Sequence, residues 1–221
     1  MDLNTYIDHT LLKATATRQE ITNLCSEAKH YHFSTVCVNS CYTALAAEQL
    51  KNSPVKVCCV IGFPLGAMST QAKVAETKQA VLDGADEIDM VINLGWLKSK
   101  DFDAVYNDIK AVKNCLPDKV LKVILETGYL NDQDIIKASE LAIKAGTDFI
   151  KTSTGFGNRG ASLHDIKLMK QAAQNKAKIK ASGGIRDYKT ALEYINLGVD
   201  RIGTSSGIAI VTGQNPSSEN Y

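Results

Sequence analysis

GTDFIKTS, residues 146–153, joins a glycine and an acid to an apolar, aromatic run that carries a lysine. The run DFIKTS (148–153) has the composition of a buried strand, and an ammonium buried there is costly unless it is paired or neutralised. The pattern recurs. Gly-x-Asp-x-Ile occurs as GADEID (84–89), GTDFIK (146–151) and GVDRIG (198–203). In each copy the glycine is suited to end a helix, the Asp to open a strand and the Ile to pack. The fifth residue after the glycine then takes an equivalent place near the carboxyl end of three strands: Asp89, Lys151 and Gly203.

Strand-like runs surround these copies at 6–12, 34–39, 55–63, 87–93, 120–126, 148–153, 178–182 and 201–205, with helix-like segments between them. Ser69 caps one helix, which Gly84 closes. Asn131 opens another, with acids in its first turn and Gly146 at its end. Ser162 and Asp165 have the spacing of a capping box. Pro54, Pro64, Pro117 and Pro216 all fall outside those helices. Eight strands alternating with helices predict an α/β chain folded as a single (β/α)8 TIM barrel over residues 1–212, with a doubly wound open sheet as the competing arrangement. Residues 213–221, GQNPSSENY, lack apolar periodicity and are expected to be a flexible tail. Such a tail reaches about 15–18 Å, far enough for Tyr221 to fold back over a barrel mouth and assist proton transfer there.

Composition excludes several classes of function. The 221 residues carry a formal net charge of +1, with no basic stripe interleaved with aromatics, so nucleic acid is not an expected partner. No apolar run approaches the roughly 20 residues that span a bilayer, so no membrane is expected. The opening MDLNTYIDHT has no apolar signal core, and a cytoplasmic location is expected. None of the six cysteines forms a CxxC pair, and Cys58-Cys59 in VKVCCVIGF reads as core. The four histidines lack ligand spacing, so no metal is expected.

The strand ends carry the chemistry. Lys180, in KIKASGG, joins Asp89 and Lys151 at one rim of the expected barrel. An amine attacks a carbonyl only when neutral, and both burial and a second cation favour the neutral form. Two lysines in one barrel mouth supply both effects, and Asp89 can move protons. The plainer alternative is a strand lysine that snorkels or pairs with an acid such as Glu126. Glycine-rich ends follow in TSTGFGNRG (152–160), SGGIR (182–186) and GTSSG (203–207). Gly183, Gly184, Ser205 and Ser206 suit an anion site after strands seven and eight, as well as ordinary turns. Asp8, Cys37, Asn39 and Glu126 could line the mouth by strand alternation, or serve as satisfied interior groups.

The set DHTLLK (8–13), CVN (37–39), GFPLG (62–66), EIDMVIN (87–93), ETG (126–128), IKTSTGF (150–156), KASGGIR (180–186) and RIGTSSG (201–207) resembles the deoxyribose-phosphate aldolase family from about Tyr6 to Gly207. The resemblance implies a metal-free, cofactor-free class I aldolase. Such enzymes reversibly cleave 2-deoxy-D-ribose 5-phosphate to D-glyceraldehyde 3-phosphate and acetaldehyde. It implies Lys151 as the Schiff-base lysine, Lys180 as the second lysine that lowers its pKa, and Asp89 as the acid of a proton relay. It places phosphate at Gly155, Gly183, Gly184, Gly203, Ser205 and Ser206. The chain departs from the family pattern at Ala14, Phe156 and Arg159.

The expected partners are therefore a phosphosugar and acetaldehyde, with a homodimer as the assembly to test. Two other readings stay open. One is a Schiff-base aldolase or transaldolase for a longer phosphosugar; the other is a phosphate-binding barrel without turnover.

Overall fold

A computed structural model describes residues 3–213. Tyr221 and all but the first residue of the segment 213–221 lie outside the described residues. The chain runs β1 (Ile7–Leu11), α1 (Arg18–His30), β2 (Thr35–Val38), α2 (Thr43–Gln49), β3 (Lys56–Ile61), α3 (Thr70–Leu82), β4 (Glu87–Val91), α4 (Leu94–Lys98) and α5 (Phe102–Lys113). It continues through β5 (Val120–Ile124), α6 (Asp132–Ala145), β6 (Phe149–Lys151), α7 (Leu163–Ala173), β7 (Lys178–Ser182), α8 (Tyr188–Asn196), β8 (Arg201–Thr204) and α9 (Gly207–Thr212). The eight strands pair in sequence order, all parallel, and β8 closes on β1. The open sheet is excluded. No helix among the described residues is long and apolar enough to cross a membrane.

The threefold sequence repeat has a physical cause. Gly84, Gly146 and Gly198 take φ of +99°, +93° and +87°, a left-handed turn that glycine adopts without strain. The Asp two residues later then clasps the preceding strand. The Asp86, Asp148 and Asp200 N–H groups donate to the carbonyls of Val57, Leu121 and Ile179 at 2.8, 3.0 and 2.9 Å. Their carboxylates accept the N–H of those same residues at 3.0, 2.8 and 2.9 Å. Each clasp fixes the register of an even-numbered strand against its predecessor at the amino-terminal rim. The isoleucine of each copy (Ile88, Ile150, Ile202) points outward and is buried beneath the helices.

Alternation divides every strand. Outward residues such as Val36, Cys59, Ile88, Val123, Ile150 and Ile179 join Ile21, Leu24, Ile109, Ile135 and Ile166 of the helices in one core. Burying each such side chain contributes about 1.5–3 kcal/mol. Inside the barrel, Leu12, Cys37, Cys58 and Val60 form a small separate cluster on the β1–β3 side. Beside it lies a network of buried charged side chains contributed by β1 and β4–β8.

The expected caps form. Ser69, Asn131 and Ser162 accept from the N–H groups of Ala72, Asp134 and Asp165. At Ser162 only half of the capping box is made, because the Asp165 carboxylate turns to Arg159 at 2.5 and 3.0 Å and to Thr127 at 2.8 Å. A complete box occurs instead at Thr17 and Glu20.

Candidate active site

Asp89, from the middle of β4, is the centre of the buried charge. Its Oδ2 accepts from Lys151 Nζ of β6 and from Lys180 Nζ of β7, both at 2.8 Å. Its Oδ1 accepts from Lys122 Nζ of β5 at 2.8 Å and from the Cys58 thiol of β3 at 3.1 Å. Lys180 Nζ lies 2.6 Å from Asp8 Oδ2, and Lys122 Nζ lies 2.5 Å from Glu87 Oε2; both are close ion pairs without hydrogen-bond alignment. Arg201 of β8 closes the floor, 2.7 Å from Asp8 Oδ1 and 3.6 Å from Glu87.

The lysines are not equivalent. Lys180 is within ion-pair range of two carboxylates, Asp8 and Asp89, and Lys122 of three, Asp8, Glu87 and Asp89. Lys151 has Asp89 alone, through an oxygen it shares with Lys180. It is also the lysine of the three whose side chain reaches solvent, at 3% exposure against 0% for the others.

The field of this cluster overrides burial. Burial alone would raise Asp89, but Lys122, Lys151 and Lys180 hold it well below the usual carboxylate range. Burial opposes charge on Lys180, yet Asp8 and Asp89 raise it above the ordinary lysine value. Lys122 is raised likewise, burial being outweighed chiefly by Asp89.

Of the two places open to Asp8, the mouth and the interior, it takes the interior. The structure puts it in the first half of β1, fully buried, as the shared counterion of Lys180 and Arg201. Cys37 is buried in the inner cluster, and the half-buried Asn39 donates to the Leu12 carbonyl at 3.2 Å. Glu126 follows β5 with φ +54° and holds the loop after β6, accepting from the Thr154 N–H at 3.3 Å and from its hydroxyl. Burial pushes Glu126 up, against the hydrogen bonds of Thr154.

The glycine-rich ends lie together on the β6–β8 side. A Cβ on Gly160 would sit 2.2 Å from the Gly183 carbonyl oxygen, so the loops after β6 and β7 meet backbone to backbone. The Ala161 N–H seals the contact, donating to the Ser182 and Gly183 carbonyls at 3.1 Å each. Gly155 and Gly184 have φ of +91° and +82° and face open space. Ser205 is exposed, and Ser206, half-buried, commits its N–H to Thr204 Oγ1 at 2.9 Å. Gly203 is buried in β8, where a Cβ would lie 2.9 Å from Lys180 Cε. Phe156 packs edge-on against Phe63, with ring centroids 5.4 Å apart. Arg159 bridges Asp165 to the Thr127 carbonyl, bracing the loop that carries Gly155.

Lys122, Glu87, Arg201 and Cys58 belong to the cluster and were not foreseen. Alternation carries the signal. Lys122 has the parity of Glu126, Glu87 that of Asp89, and Arg201 that of Gly203. The Cys58-Cys59 core reading splits in the same way: Cys59 faces the helices and Cys58 faces Asp89. Cys37, Cys58 and Asp89 each bring a potential ligand atom within 4.8 Å of the others, but the Lys122 ammonium, 3.3 Å from Cys58 Sγ, already serves that group.

A family model described as DeoC/LacD family aldolase matches residues 3–212. The chain is 58% identical over 213 residues to a deoxyribose-phosphate aldolase of Finegoldia magna, covering 96% of this chain and all of the relative. It is 54% identical over 219 residues to one of Mycoplasma capricolum, covering 99% and 98%. Among solved structures, an aldolase called QR15 superposes with a TM-score of 0.93 at 47% identity, covering 96% of each chain. A deoxyribose phosphate aldolase of Aeropyrum pernix, described as tetrameric, superposes with a TM-score of 0.88 at 33% identity, covering 96% and 90%.

Proposed function

Because the chain belongs to the DeoC/LacD family of aldolases, we propose that it cleaves 2-deoxy-D-ribose 5-phosphate reversibly, through an imine on Lys151, to D-glyceraldehyde 3-phosphate and acetaldehyde. The observation that carries this reading is the inequality of the lysines. Lys151 has the fewest counterions and is the one at the mouth, whereas Lys122 and Lys180 are fully enclosed and charge-balanced. A fixed cation at Lys180 favours loss of the Lys151 proton, although Asp89 pulls in the opposite direction.

The neutral amine adds to the C1 aldehyde, and loss of water gives the iminium. The C2–C3 bond then breaks, its electron pair moving into the iminium to leave an enamine, while the C3 hydroxyl gives up its proton. Asp89 and Lys180, hydrogen-bonded to each other, are assigned to carry that proton through a bound water. Glyceraldehyde 3-phosphate departs, the enamine carbon is protonated, and water releases acetaldehyde. The phosphate end is assigned to the β6–β8 rim: backbone at Gly155, Gly183 and Gly184, and the hydroxyls of Ser205 and Ser206. The two-carbon end faces the inner cluster of Leu12, Cys37 and Val60.

Borohydride reduction in the presence of acetaldehyde tests the assignment. The expected result is a two-carbon adduct on Lys151, located by peptide mapping. An adduct on Lys180 overturns the roles, and no adduct at all leaves a binding barrel.

A further inference from the structure

Cys37 and Cys58 face each other residue for residue in the register of β2 and β3. Neighbouring strands lie about 4.8 Å apart, within the roughly 4.4–6.8 Å between Cα atoms that a disulfide spans. Both side chains belong to the inner cluster, and the two sulfurs and an Asp89 oxygen lie within 4.8 Å of one another. The other cysteines are placed differently: Cys59 packs under the helices, Cys25 is on α1, Cys41 is exposed, and Cys115 follows α5. Catalysis as proposed uses neither sulfur.

We propose that Cys37 and Cys58 are a reversible oxidation site, closing to a disulfide under hydrogen peroxide and idling the barrel by withdrawing Cys58 from Asp89. The deprotonated Cys37 sulfur attacks one peroxide oxygen and breaks the O–O bond. The hydroxide released takes up the proton Cys37 gave, leaving a sulfenic acid and one water. Cys58 sulfur then attacks Cys37 sulfur, the S–O bond breaks, and the departing hydroxide takes the Cys58 proton as a second water. The two sulfurs together lose two electrons, and peroxide gains them.

The assignment of attacker and resolver follows the surroundings. Cys37 is held below the usual thiol value, chiefly by the neighbouring Cys58 thiol and then, against burial, by the charges of Lys180 and Lys151. Cys58 is pushed well up, first by burial. Access rests on the aldolase reading: a path that admits an aldehyde to Lys151 also admits peroxide, a smaller molecule. Closure removes the thiol proton that Cys58 donates to Asp89 Oδ1 and takes a partner from Lys122.

The test treats the full chain with peroxide and maps disulfides by tandem mass spectrometry, beside the turnover assay. The expected product is a Cys37–Cys58 bond, lighter by two hydrogens, with turnover lost in step and restored by a thiol reductant. In Cys58→Ala, Cys37 has no resolving partner and should advance to the sulfinic acid, which thiols do not reverse. Unmodified sulfurs, a bond to another cysteine, or a Cys37–Cys58 bond with turnover intact each overturn the proposal. Borohydride trapping in the untreated chain is scored separately, so failure of oxidation and failure of the Lys151 assignment remain distinct.

Discussion

Lys73 and the barrel lysines are buried alike and are neutralised by opposite plans. Lys73, on α3, donates to Asp108 of α5 at 2.6 Å and to the Val91 carbonyl at 2.9 Å. Thr70 completes Asp108 at 2.8 Å, so one cation meets one anion and every group is satisfied. The barrel interior instead sets four cations (Lys122, Lys151, Lys180, Arg201) among three carboxylates (Asp8, Glu87, Asp89). The shortfall falls on Lys151. A balanced pair locks two helices together; an unbalanced cluster leaves one amine with a single, shared counterion.

The comparison breaks most visibly at Lys151. Lys151→Arg should lower turnover by roughly 10⁴-fold or more while leaving the fold intact, since a guanidinium cannot become a neutral nucleophile. Turnover together with circular dichroism checks this, and residual activity near that of the parent would remove Lys151 from the chemistry.

Asp108→Ala tests the other region. It strands the Lys73 charge and should cost about 3–5 kcal/mol of stability, whereas Lys73→Met combined with Asp108→Leu should recover most of it. Denaturant midpoints measure both, and turnover per folded molecule should hardly change. A drop in turnover at full folding would show that the helix layer also tunes the site.

Lys180→Leu sharpens the comparison. Asp8 and Asp89 keep Lys180 charged above the ordinary lysine value, so at working pH it always opposes a proton on its neighbour. Removing it deletes that cation and frees two carboxylates, and both changes favour protonated Lys151. The pH at half-maximal imine trapping should therefore rise by on the order of one unit. An unmoved midpoint would assign control of the amine to burial instead.

The smallest effect is expected at the clasps. Asp200→Ala removes one acceptor for the Ile179 N–H and should cost about 1–2 kcal/mol, read as a lower melting temperature with unchanged turnover.

The barrel was legible because its signals are local. Each strand run, each cap and the Gly-x-Asp-x-Ile repeat are written in adjacent residues, and all eight strands formed where the runs lie. Asp89, Lys151 and Lys180 met because equivalent strand positions converge in a closed barrel. The counterions were harder to read. Whether Asp8 meets Lys180 or lines the mouth depends on the stagger of β8 against β1, which no local pattern encodes. Lys122 and Arg201 share inward parity with recognised residues, yet their partners lie on other strands. Asp165 shows the limit of motif spacing: a better partner, Arg159, took the carboxylate that the capping box would have used.

The three clasps also partition the chain. They join β3 to β4, β5 to β6 and β7 to β8, so register is encoded in consecutive couples of strands. Opening the polypeptide between couples, in the α4–α5 connection or in the loop at 155–160, leaves each clasp inside one fragment. Opening it within a couple, in α3 or α6, leaves a clasp to be remade between fragments. The barrel is thus a ring with preferred seams, and circular permutants or split halves cut along them keep their alignment instructions intact.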